Sequence, residues 1–173
     1  MKINFVKLLI RAAVLIAIQV LLLKRISFSL GDFSYVHFFI YPLFILLLPF
    51  NQSRTLYLIL GFILGLTIDM FYSTPGVHAA ATVLMAYLRE SILNWIAPYQ
   101  GYPADATPTI AKMGLVWFFS YSSTLMFIHL FMFFFMESFS FIYIFEIMLN
   151  TFFSLIGSEL IIMVYMLISR PTS

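Results

Sequence analysis

Six apolar runs fill most of this chain, and only nine basic and seven acidic side chains separate or interrupt them. That scarcity of charge is the strongest constraint on the fold. A soluble domain charges about a quarter of its residues to hold a hydrated surface. Here 63% of the 173 residues are apolar and 9% are charged. A bilayer, by contrast, needs roughly 20 apolar residues for each helical crossing. The runs cover residues 5–23, 37–50, 56–72, 77–97, 110–136 and 139–168. They predict a single all-α, polytopic membrane domain over residues 1–173, with six transmembrane helices in the lipid bilayer. A net charge of +2 is too small to suggest nucleic acid. The lack of cysteine excludes disulfides, thiolate metal sites and thiol nucleophiles.

The first run follows Lys2, Lys7 and Arg11, as in a signal peptide, but no small-x-small cleavage site precedes Lys24-Arg25. It is read as an uncleaved helix. Residues 26–36 read as an interfacial loop. The second run contains Pro42 and Pro49, which predict a kinked helix. Ser73-Thr74-Pro75-Gly76 predicts a tight reversal. Pro98 to Thr109 is the one long polar connection. With the N-terminus inside, Lys2, Lys7, Arg11, Arg54, Arg89, Lys112 and Arg170 fall on the inner side, against Lys24 and Arg25 outside. The positive-inside rule therefore puts both termini in the cytoplasm.

Ionisable groups inside spans are costly and must find partners or water. The candidates are Asp69, Arg89, Glu90, His129, Glu146 and Glu159. Asp69 lies near a span end, where water can reach it. His129 can bond a neighbouring carbonyl, and Glu146 is close to an interface. No role is assigned to His78, His129 or Glu146. Shared depth predicts that Arg89 or Glu90 pairs with Glu159 or Arg11. Gly61, Gly65 and Asp69 recur every four residues and so share one helix face. Small residues at that spacing admit a close helix neighbour, either another span of the chain or a partner's helix. Ala13 and Ala17 repeat the spacing.

Catalytic signatures are missing. No Gly-x-Ser-x-Gly context, HExxH motif or Walker A loop occurs, and Asp69 is the lone aspartate at span depth. A transporter's paired broken helices have no counterpart in the second half. The expectation is a protein without enzymatic activity, catalytic residues, cofactor or metal.

The stretch from Gly61 through Gly65 and Asp69 to the Ser73-Thr74-Pro75-Gly76 turn and His78 resembles the signature of the MreD family of bacterial rod shape-determining proteins. The segment from Pro42 to Pro49 and the Ala86-Tyr87-Leu88-Arg89 sequence fit that family too, so the resemblance spans Pro42 to Leu93. The turn is slightly shorter than the family's usual form. The resemblance implies an inner (plasma) membrane subunit of the cell-wall elongation machinery, binding MreC within a complex with MreB, RodA and its transpeptidase. It also implies a six-helix fold similar to the substrate-binding subunits of energy-coupling-factor transporters, and hence an alternative function in capturing a vitamin. Few polar groups in the outer loops are available to grip such a ligand. On the MreD reading, Gly61, Gly65 and Asp69 are the candidate partner-binding face.

Overall fold

The computed structural model describes residues 5–25, 27–30, 33–102 and 107–169. Lys2, Asp32, Arg170 and residues 103–106 of the long connection lie outside the described residues. The elements are α1 (Phe5–Ala17), β1 (Ser27–Leu30), β2 (Phe33–His37), α2 (Leu43–Leu46), α3 (Arg54–Tyr72), α4 (Val77–Trp95), α5 (Ile110–Met113), α6 (Leu115–Ser138) and α7 (Ile144–Ser169). A π-helical turn, Ile18–Leu22, and a 3₁₀ turn, Leu23–Arg25, extend α1. Four helical stretches are long and apolar enough to cross a membrane: Val6–Arg25, Arg54–Tyr72, Leu115–Ser138 and Phe141–Ser169. The chain is thus a predominantly helical membrane protein. Helix α4 matches α3 in length but carries Arg89 and Glu90.

Local chemistry sets the boundaries. Ser53 caps α3 by accepting from the Leu56 N–H at 3.3 Å. The helix ends where Ser73 turns left-handed (φ 58°), and Gly76 (φ 85°) completes the reversal into α4. Gly114 (φ 86°) divides the fifth apolar run into α5 and α6. Ser140 accepts from the Ile142 N–H at 3.3 Å before the turn that leads into α7.

Two expectations change. Residues 26–36 are not simply an interfacial loop, because β1 and β2 pair antiparallel, with a register shift between Phe28 and Ser29. The second run, 37–50, is not a kinked helix. It leaves β2, has no regular structure over residues 38–40, makes one helical turn (α2), and breaks again before Phe50. Pro42 and Pro49 explain this, since each removes a backbone donor and bars the preceding turn. Every residue from Phe39 to Leu48 is nevertheless buried. This broken segment passes through the centre of the bundle, and Leu15, Ile68, Phe118 and Leu125 belong to the same core. Elsewhere large apolar side chains face outward, as on α1 (Leu9) and α7 (Leu160), the arrangement lipid requires.

Candidate functional site

A non-helical segment at membrane depth is tolerated only if protein groups satisfy its freed backbone. Here the polar side chains of the surrounding helices converge on residues 37–50. From α7, Ser154 Oγ accepts the His37 N–H and Ser158 Oγ accepts the Phe39 N–H, both at 2.9 Å. Gly157 lies between these serines. A Cβ there would sit 2.6 Å from the Phe38 ring, so the glycine makes the slot that admits Phe38. From the π turn, Gln19 accepts the Ile40 N–H (2.8 Å) and donates to the Phe38 carbonyl (3.0 Å). The wider turn rotates the buried Gln19 onto the segment.

The other end is held in the same way. Tyr57 donates to the Pro49 carbonyl at 2.6 Å. Arg89 Nη2 donates to the Leu48 carbonyl, and Arg89 Nε donates at 2.8 Å to the Tyr121 hydroxyl. Tyr121 in turn donates to the Leu46 carbonyl at 3.1 Å. The Arg89 guanidinium lies 4.5 Å from the centre of the Tyr57 ring. Arg11 Nη1 reaches the Leu47 carbonyl at 3.5 Å.

At mid-segment the Tyr41 hydroxyl lies between two imidazoles, 2.8 Å from His78 Nδ1 and 2.9 Å from His129 Nε2. All three side chains are fully buried. One hydroxyl donates a single proton, so it donates to one ring and accepts from the other. If both rings are neutral, both therefore carry their proton on the same named nitrogen, either Nε2 or Nδ1. Tyr41→Phe would strand two buried ring nitrogens, at about 1–3 kcal/mol for each stranded group. We expect the melting temperature in detergent to fall accordingly, and a melting curve identical to wild type would refute the arrangement.

Each residue proposed from sequence has a definite place. Asp69 is buried and caps α4: its carboxylate accepts the N–H groups of His78 (2.9 Å) and Ala79 (3.0 Å) and the Thr74 hydroxyl (3.0 Å). Gly61 and Gly65 lie on the same strip against α4, beside Ala86, Thr82 and Ala79. That strip is covered within the chain, which corrects its assignment as a partner-binding face. The cause is the tight Ser73–Gly76 reversal, which folds α4 straight back onto the glycines. We expect Asp69→Asn to retain part of the cap and Asp69→Leu to lose it, at about 0.5–2 kcal/mol. Equal melting temperatures for the two variants would contradict that role.

The expected charge pairing is also corrected. Among the described residues no ion pair joins any two of Arg11, Arg89, Glu90 and Glu159. Arg89 is fully buried on carbonyls and tyrosines, Glu90 is exposed, and Glu159 accepts from Ser122 at 3.0 Å. Unsatisfied carbonyls of the broken segment serve the arginines in place of carboxylates. Glu146 lines a surface pocket of about 210 Å³ with Glu137 and Asn150.

Sequence reasoning missed Gln19, Tyr41, Tyr57, Tyr121, Ser154 and Ser158. The available signal was the pair of prolines. A proline-broken buried run implies freed backbone groups, and these polar residues inside apolar runs are their natural partners.

Chemically, the site ties the broken segment to the surrounding helices through buried hydrogen bonds, and among the described residues His78 Nε2, Arg89 Nη1 and Glu159 Oε1 are buried without a partner. The His78 ring is turned to Tyr41, while Asp69 takes the His78 backbone N–H, so the two side chains form no relay. No family model, curated protein or solved structure matches the chain.

Proposed function

We propose that the protein is a non-enzymatic plasma-membrane subunit of the bacterial cell-wall elongation machinery, acting in rod-shape maintenance through MreC and, within a larger complex, MreB, RodA and its transpeptidase. The observation that carries this reading is the Pro42–Leu93 sequence pattern. Its Gly61–Asp69 helix, Ser73–Gly76 turn and Ala-rich helix form one continuous packed hairpin. The inward commitment of the polar groups supports an assembly role, because the helices are left with apolar outer faces. Six passages fit the same reading, with the broken segment as the second and α4 as the fourth. Both termini are then cytoplasmic. Since α4 covers the glycine strip, the partner's span binds one of the lipid-facing surfaces.

Depletion in a rod-shaped host tests the function. Cells should round up, and the protein should co-purify with a single-span, periplasmic coiled-coil partner. Normal shape with impaired vitamin uptake would instead favour the transporter-subunit alternative. Topology is tested separately with single cysteines, on a chain that has none of its own. An impermeant reagent should label a cysteine at position 75 in intact cells and spare one at position 53. Labelling at position 53 would overturn the orientation.

A further inference from the structure

We propose that Glu159 is a proton-binding site inside the bundle, where its carboxyl is held as a neutral acid that donates from Oε2 to Ser122. A count of protons at the contact between α6 and α7 carries this. Ser122 Oγ lies 3.0 Å from Glu159 Oε2 and 3.3 Å from the Phe119 carbonyl oxygen, in the preceding turn of α6. Two hydrogen bonds between oxygens need two protons, and a serine hydroxyl supplies one. With an ionised carboxyl, Ser122 donates to Glu159 and has no proton left for Phe119. With an acid, the same 3.0 Å contact runs in reverse: the carboxyl proton goes to Ser122, the serine proton goes to Phe119, and both bonds form at once. Serine inside a helix commonly bonds back to a carbonyl of the preceding turn, so the acid leaves Ser122 in a familiar geometry.

The surroundings offer an ionised carboxyl nothing else. Glu159 is 5% exposed, and its Oε1 is buried without a partner. In a carboxylate that oxygen shares the negative charge, whereas in an acid it is a neutral carbonyl oxygen, which costs less to leave unbonded in an apolar interior. Among the described residues, the charged and titratable side chains of the neighbouring elements are turned elsewhere. On α6, Tyr121 holds the Leu46 carbonyl and His129 holds Tyr41. Arg89 of α4 serves Leu48 and Tyr121, and Arg11 of α1 reaches the Leu47 carbonyl. The His37 ring, at the end of β2, lies against Phe134. On α7 itself the nearest titratable residues in sequence are Tyr165, six positions on, and Glu146, thirteen back. A metal cation would need several oxygen ligands. No group of three or more His, Asp or Glu side chains gathers among the described residues, and Glu159 has Ser122 alone. The cation that fits is a proton.

The test is the infrared spectrum of the full chain in phosphatidylcholine vesicles at neutral pH. A protonated carboxyl has a C=O stretch that a carboxylate lacks. That band should be present in the unaltered chain and lost in Glu159→Gln. Ser122→Ala removes the acceptor of the acid proton and should move the band to higher frequency. Exchange of choline chloride for sodium chloride at equal ionic strength should leave it unchanged. The proposal is overturned if the unaltered chain shows no such band, or if Glu159→Gln leaves this region of the spectrum as it was. A band that Ser122→Ala does not move would remove the donation to Ser122, and a band that sodium abolishes would assign the carboxyl to a metal cation instead. If Glu159→Gln fails to fold, the shift in Ser122→Ala still decides, because only an acid bonded to Ser122 responds to that change.

Discussion

Gly65→Leu is expected to eliminate most of the folded protein, whatever its partners. A Cβ at position 65 would lie 2.2 Å from Thr82 Oγ1, 2.5 Å from Ala79 Cα and 2.7 Å from Ala79 N. Thr82 can rotate, but two of the three contacts are backbone, so the helices must separate. Separation would also pull the Ala79 N–H, and His78 beside it, away from Asp69. The cost should therefore exceed the about 1–3 kcal/mol of ordinary overpacking. Gly61 gives the internal control: its added Cβ would meet the Thr82 carbonyl oxygen at 3.2 Å and Ala86 Cβ at 3.3 Å, contacts that a shift of a few tenths of an ångström relieves. Gly61→Ala should be abundant with a modestly lowered melting temperature, while Gly65→Leu should be scarce in the membrane. Any loss of a co-purifying partner should then track the loss of protein. An abundant Gly65→Leu variant that melts like wild type would show that α4 does not cover this strip.

The contrast between these glycines and the broken segment shows which parts of the fold were legible in the sequence. Apolar runs are local signals, and α1, α3, α6 and α7 emerge close to their expected positions. The Ser73–Gly76 turn is local too, and it determines what Gly61 and Gly65 face. A helical strip states that something packs closely, whereas the connection length states what, and a reversal this short leaves room only for the next helix. The 37–50 run was legible as proline-broken. Its form was not, because it depends on groups far away in sequence: Gln19 is 21 residues from Ile40, and Ser158 is 119 from Phe39. Arg89 invited a carboxylate partner on the rule that a buried charge seeks its opposite. Carbonyls deprived of helical donors supply the same negative potential, and the prolines had already created them.

Arg89→Met should destabilise by about 3–5 kcal/mol, from two charge-assisted hydrogen bonds of about 1.5–3 kcal/mol each and a desolvated cation–π contact, partly offset by methionine's easier burial. The loss is large because Arg89 is a hub. Without it the Leu48 carbonyl has no side-chain donor, and Tyr121 must hold the Leu46 carbonyl without the polarising Arg89 N–H behind it. Arg89→Lys should recover only part of the stability, because an ammonium is a point charge and lacks the planar fork that serves Leu48 and Tyr121 together. The decisive comparison adds Glu159→Gln. A buried ion pair between these residues would make the single Arg89 change worse than the double, since the single change strands a carboxylate. The structure instead ties Glu159 to Ser122 and Arg89 to the broken segment, through separate contacts. The two substitutions should then add to within about 0.5 kcal/mol in a double-mutant cycle read by denaturation in detergent. Rescue of Arg89→Met by Glu159→Gln would restore the ion pair and remove the claim that this arginine exists to close the backbone of a segment two prolines have opened.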